Sequence, residues 1–180
     1  MNTWRNLPGK AVAAASSFHP RLRERAEKAA GCLSRGEREL FLAMGRYDLA
    51  HSLAVAERLR DDPLLYRAAL LHDVGKLGSE LNLLHRWLYT ALELLAPRRL
   101  RALCGKAEAR ARGTGALERA RSLPRGLGRG FFVQAHHGEI AAELLRELGS
   151  EDSLVRLVGG HQGEPDGPRA ARLRAADDAY

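Results

Sequence analysis

The stretch LLYRAALLHDVGKL, residues 64–77, closes a run of Leu and Ala with His72 and Asp73 side by side. An imidazole and a carboxylate ending an apolar helix are costly to bury unless a positive partner satisfies them. Asp is also poorly suited to a helix C-terminus, where the macrodipole favours cations. A metal ion answers both demands. Three further histidines have similar surroundings: His51 among Leu49, Ala50, Leu53 and Ala54, His137 leading into GEIAAELL, and His161 after LVRLVGG. Asp177, in LRAADDAY, is a second acid with small and apolar neighbours. A lone histidine on an apolar face is ordinarily a core residue with a hydrogen-bond partner. Four of them with Asp73 and Asp177, on separate helices, point instead to a shared metal site. His136 competes with His137, and one residue along a helix is a rotation of about 100°, so only one of the two faces the site. His19 and His85 read as structural, and Trp4 and Trp87 as packing.

The elements that must carry these residues are helices. Apolar residues recur with a 3.6-residue period, Pro and Gly punctuate them, and no alternating strand pattern occurs. Residues 1–19 read as irregular or loosely packed, and 20–30 as a charged helix stopped by Gly31. Ser34 and Glu37 form a capping-box pattern that opens a helix over 34–44. Helices are expected over 47–60 and along the pivot stretch, where Asp61 or Asp62 caps the start and Pro63 suits the first helical position. Gly75 offers a residue that can leave that helix in the left-handed conformation. A core-facing helix over 81–95 and a basic one over 97–111 follow. Five Gly and a Pro make 113–130 a loop. Helices at 131–148, 150–158 and 168–178 complete an all-α bundle with its site between facing helices.

The 180 residues suit one domain with a core of its own. Cys32 and Cys104 are too few and too far apart for a thiolate zinc motif or a disulfide framework. No secretory leader pattern or membrane-length apolar run is seen, so a cytoplasmic protein with no membrane partner is expected. Net charge is +7, and ten Lys or Arg against Glu108 and Glu118 give residues 97–130 a local +8. That insert reads as a solvated loop, as a phosphate-attracting lid that steers a polyanion toward the site, or as a nucleic-acid contact. Nucleic acid is the weakest of the three, because no aromatic lies between Tyr89 and Phe131 to stack on bases.

The order His51, His72-Asp73, Asp177 resembles the HD-domain superfamily of metal-dependent phosphohydrolases. RYDLAHSLAVAERL, AALLHDVGKL and LRAADDAY are similar to its successive signature segments. HGEIAAELL resembles a segment of the two-metal branch, which makes His137 rather than His136 the equivalent histidine. The resemblance covers residues 46–180 less the basic insert. It implies an HD helical bundle over 34–180, preceded by a partly helical extension over 1–33. It also implies one metal held by His51, His72, Asp73 and Asp177, and a second held by Asp73, His137 and His161. Imidazole and carboxylate ligands suit two divalent ions such as Fe, Mn, Co, Ni, Mg or Zn. Such a pair can activate a hydroxide against phosphorus, with Lys76, Arg98, Arg99 and Arg101 placed to bind phosphate. The substrate class implied is a nucleotide or dinucleoside polyphosphate, since Gln162 after His161 and GEPDGP at 163–168 depart from the cyclic di-GMP-cleaving pattern. A site that binds metal and nucleotide without cleavage is the alternative.

Overall fold

The computed structural model describes the backbone of residues 7–76 and 83–180, and within them the side chains of residue 9, residues 11–76 and residues 87–180. Trp4, the side chain of His85 and Leu77 lie outside the described residues. Among those described, the structure is all-α, with eleven α-helices and no strand. In order they are α1 (Leu7–Ser17), α2 (Leu22–Ala29), α3 (Arg35–Leu42), α4 (Arg46–Glu57), α5 (Pro63–Leu71), α6 (Leu83–Leu95), α7 (Pro97–Arg110), α8 (Ala116–Ser122), α9 (Leu127–Glu147), α10 (Asp152–Gly160) and α11 (Gly167–Asp177). None is long and apolar enough to cross a membrane.

Helices α4 and α5 are the centre. Asp62 caps α5 by accepting from the backbone N–H groups of Leu64 and Leu65 at 3.0 and 3.2 Å, and Pro63 occupies the first turn. The capping box of α3 is present: Ser34 accepts from the Glu37 N–H while Glu37 accepts from the Ser34 N–H. The main core joins Leu22 and Ala26 of α2, Phe41 of α3, Leu49 and Val55 of α4, Leu65 to Leu71 of α5, Ala141 and Leu145 of α9, Leu154 and Val158 of α10 and Leu173 of α11.

The long α9 divides the molecule. Ala141, Ala142 and Leu145 face the main core, whereas Phe132, Val133 and Ile140 form a second cluster with Ala107 of α7 and Ala116, Leu117 and Ala120 of α8. Here the expectation of a loop over 113–130 fails. Ala116, Leu117, Ala120 and Leu123 recur with a helical period and bury onto α9. The Glu143 carboxylate accepts from the first N–H groups of α8, Ala116 at 2.7 Å and Leu117 at 2.9 Å, so a side chain from another helix caps it. Gly128 and Gly130 lie inside α9, where each costs only about 1 kcal/mol against Ala. Packing outweighs the punctuation.

Two further expectations are corrected at the ends of the chain segments. The 1–19 stretch contains α1, which buries Ala13 against the bundle, and Arg46 ties its end down through the carbonyls of Ser17 and His19 at 2.8 and 3.0 Å. Helix α6 is only half core-facing. Tyr89 packs edge-on to Phe131 and Thr90 is buried, but Trp87 is 46% exposed and Leu95 73%. Over residues 87–95 the exposed side is the apolar one, and Tyr89, Thr90 and Glu93 share the other.

Candidate metal centre

Each of the six candidate ligands sits where an element turns or meets another. His72 caps the C-terminus of α5, and Asp73 follows it into a 3-10 turn, Val74–Lys76. His51 is mid-helix in α4, His137 mid-helix in α9, His161 caps α10, and Asp177 is the last residue of α11. Helix α11 is held in register by Arg169 on Asp62 and Arg172 on Asp61, at 2.8 and 2.7 Å, and Arg58 lies 5.9 Å over the Tyr180 ring. These ties fix the turn that presents Asp177.

The structure brings all six together in two groups, His51 with His72 and Asp177, and Asp73 with His137 and His161. Within each group the possible ligand atoms lie within 4.8 Å of one another. Asp73 touches both: its Oδ1 is 3.2 Å from His137 Nε2 and 3.5 Å from His72 Nε2, and its Oδ2 is 3.8 Å from His51 Nε2. Asp177 Oδ1 is 2.8 Å from His51 Nε2 and 3.4 Å from His72 Nε2. These four histidines and Asp73 are buried, while the Asp177 side chain is 29% exposed and marks the solvent side.

Three of the rings are set by the same local device. Nδ1 of His72, His137 and His161 each meets the carbonyl three residues earlier, at Ala69, Gln134 and Val158, over 2.7–2.9 Å. A carbonyl only accepts, so each Nδ1 carries the hydrogen and donates it. That aims each Nε2 inward and, in a neutral ring, makes it an acceptor. His137 Nε2 and His161 Nε2 then face each other at 3.1 Å. Burial lowers the basicity of both; Lys76 adds to the effect at His137, and His137 and His72 add to it at His161, whose pKa falls to about 3. Two neutral rings with lone pairs opposed repel, and a cation between those donors would remove the repulsion. The residues present fit a metal.

Asp73, Asp177 and His72 carry the charge. Burial would raise the Asp73 carboxyl, but His72, Lys76 and His137 outweigh it and hold the acid well below the usual carboxylate range. Asp177 is held low in the same way by His51 and His72 against its burial. Burial pushes His72 down, yet Asp73 and Asp177 raise it to about 9. Its Nε2 nevertheless makes no hydrogen bond. A metal bound there displaces that proton. His51 differs, because its Nδ1 is buried with no partner and no carbonyl sets its tautomer.

Of the pair at 136 and 137, His137 turns inward. His136 pairs with Glu108 of α7 at 2.9 Å and packs on Phe132. His19 accepts from the Arg21 N–H at 3.1 Å, a local turn contact. Lys76 is buried and folds back onto Asp73 at 2.6 Å, with Asp48 at 3.9 Å. Arg98, Arg99 and Arg101 are exposed at the start of α7. On that helix the contact with His136 is Glu108, seven to ten residues further on and so about 10–15 Å away along the axis. Among the described residues, no hydrogen bond or ion pair joins the three arginines to the candidate ligands.

Three residues escape the sequence reading. Asp48, buried beside Lys76, is three residues before His51 on one helix face, a spacing that could have flagged it. Gln162 accepts from the Gly138 N–H at 3.0 Å and reaches the Gln134 carbonyl at 3.4 Å, the same carbonyl that orients His137. Gly75 has no positive φ. Its role is close approach: a Cβ there would strike the His137 carbonyl and stand 2.7 Å from the Ala141 nitrogen. Nothing local distinguishes such a glycine from a helix stop. Compared with family models, curated proteins and solved structures, the chain has no match.

Proposed function

We propose that this chain is a metal-dependent phosphohydrolase of the HD type, cleaving a phosphoester or phosphoanhydride of a nucleotide or dinucleoside polyphosphate. The observation that carries this reading is the Asp73 carboxylate, set between two groups of inward-facing imidazoles. His51, His72, Asp73 and Asp177 would hold one divalent ion, and Asp73, His137 and His161 a second. A pair of such ions supplies a hydroxide nucleophile at neutral pH and neutralises charge on the phosphoryl oxygens.

The chain's own residues prepare that chemistry. The carbonyls of Gln134 and Val158 hold two imidazoles in the ligand tautomer before any ion arrives, and that of Ala69 aims the His72 ring, whose Nε2 proton a metal would displace. Lys76 restrains one oxygen of Asp73 and supplies one positive charge where two carboxylates are buried. The phosphate-binding role expected for Lys76 requires that contact to open. The partial exposure of Asp177 supports approach of a polar substrate from the α11 side.

Elemental analysis of the purified protein tests the reading, followed by a screen of nucleotides for released phosphate. About two ions per chain with turnover supports it. Metal with saturable nucleotide binding and no turnover would replace it with the binding-module alternative. No metal after reconstitution would end it.

A further inference from the structure

Over residues 87–95, α6 has two unlike sides: Tyr89, Thr90 and Glu93 share one, and Trp87, Leu88, Ala91 and Leu95 share the other. The apolar side of a helix in a globular fold is ordinarily the one that is buried. Here the side with Tyr89 and Thr90 turns inward, toward α9. The apolar side turns outward: Trp87 is 46% exposed, Leu88 37% and Leu95 73%, with Ala91 exposed among them. Positions 87, 91 and 95 follow one another at i, i+4 spacing, so the stripe is continuous and uncharged.

Helix α7 is joined to α6 by Ala96, and both helices pack on α9. Its buried line is Leu100 and Ala107, with Cys104 half-buried between them. At about 100° per residue, Glu108, which holds His136, is on one flank of that line. Arg99, Leu103, Lys106 and Arg110 are on the other flank, all exposed. The second stripe is therefore basic, with Leu103 in its midst.

We infer that the outer faces of α6 and α7 form a peripheral docking surface for an anionic lipid bilayer. Trp and Leu that enter the headgroup region beside Arg and Lys that meet the lipid charge are the composition of helices that lie in a membrane surface. The Arg and Lys stems can lie along the apolar boundary while their charges reach phosphate. A second copy of the chain fits less well. A two-fold interface sets the same patch on both sides, so the three cations Arg99, Lys106 and Arg110 would enter it from each copy. A nucleic acid would use the positive charge but leave Leu88, Leu95 and Leu103 in water. An anionic bilayer uses both. The contact is peripheral, since no helix among the described residues can span a bilayer.

Flotation of the full chain with vesicles tests this, using phosphatidylcholine alone and phosphatidylcholine mixed with phosphatidylglycerol. The expected result is binding to the mixed vesicles only, weakened by salt. Arg99→Gln/Lys106→Gln/Arg110→Gln should reduce it roughly hundredfold. Trp87→Ser/Leu95→Ser should abolish it with helicity and metal content unchanged. In a Trp4→Phe background, Trp87 emission should shift to the blue on binding. Binding that survives Trp87→Ser/Leu95→Ser overturns the assignment of this face. So does the absence of vesicle binding, whether the chain self-associates through the stripe, binds an oligonucleotide through the arginines, or does neither.

Discussion

Glu37 and Asp73 are equally withdrawn from solvent, each about 1% exposed, yet their surroundings differ in kind. Around Glu37 every partner is a donor. The Ser34 N–H reaches it at 2.9 Å, the Ser150 hydroxyl at 2.8 Å and the Arg67 guanidinium at 3.2 Å. One carboxylate meets one guanidinium, and the lone pairs are occupied. Around Asp73 the neighbours include a second carboxylate, Asp177, and imidazoles whose inward nitrogens face one another. Lys76 is the one fixed cation joined to it by a hydrogen bond. A closed set of donors needs nothing further and ties α3, α5 and the start of α10 together. A set rich in acceptors is poised for a cation. Burial of charge alone therefore does not identify a functional site; the balance of donors and acceptors around it does.

The substitution Asp73→Asn should separate the two regions most sharply. The amide keeps the shape but removes the shared charge, so both ions and all hydrolysis should be lost while the chain stays folded. Elemental analysis and circular dichroism check this. Retention of either ion at full occupancy would break the reading of Asp73 as the shared ligand.

Gly75→Ala comes next. An added Cβ meets backbone atoms of α9, not a flexible side chain, so the 3-10 turn and α9 must separate. Asp73 and His137 lie on the two sides of that contact. The expected outcome is a destabilisation of several kcal/mol, of the kind overpacking gives, together with loss of metal. Denaturant unfolding in a chelator isolates the first effect, and metal content reads the second.

Glu37→Gln should do the reverse, costing about 3 kcal/mol by leaving Arg67 with only the more exposed Glu151, at 3.6 Å, as a charge partner while metal content holds. Its acid response has a definite sign. Burial raises the Glu37 carboxyl, but Ser34, Ser150 and Arg67 outweigh it and lower the pKa below the usual value. The stability it contributes is present above the unfolded value of about 4.3 and is lost as pH falls through the lower folded value. Unfolding followed at decreasing pH, in chelator, should show a steep acid loss in the parent chain and a shallower one in the variant. Identical slopes would mean that the acid-sensitive group lies elsewhere.

How much of this was legible in the sequence follows the range of the interactions. Pro63, Asp62 and the Ser34–Glu37 box act within one turn, and those helix starts were readable. The six residues of the His/Asp cluster could be picked out because polar residues among Leu and Ala stand out. Helix α8 was not, because its N-terminus is capped by Glu143, more than twenty residues away, and its apolar face is meaningful only once α9 is beside it. The phosphate role expected of Arg98, Arg99 and Arg101 rested on charge; the structure sets them along α7, with Arg99 on the flank away from His136. Charge is visible in a sequence, but the flank of the helix that carries it is visible only when the helix has a neighbour.

Gln162 sharpens the comparison at its smallest scale. Its carboxamide spans α9 between the Gly138 N–H and the Gln134 carbonyl, and so links the residue after His161 to the carbonyl that orients His137. The absence of a Cβ at Gly138 permits the approach, since one would stand 3.1 Å from both the Gln162 oxygen and the Gly159 carbonyl. The amide touches neither Asp73 nor the His51 group. Gln162→Leu should therefore weaken the ion at Asp73, His137 and His161 by about 10–100-fold, as loss of an outer hydrogen bond does, and leave the other ion's affinity unchanged. A competitive metal titration that resolves two affinities reads this split. Equal weakening of both would mean that the two groups respond as one unit, with Asp73 coupling them so tightly that neither can be tuned alone.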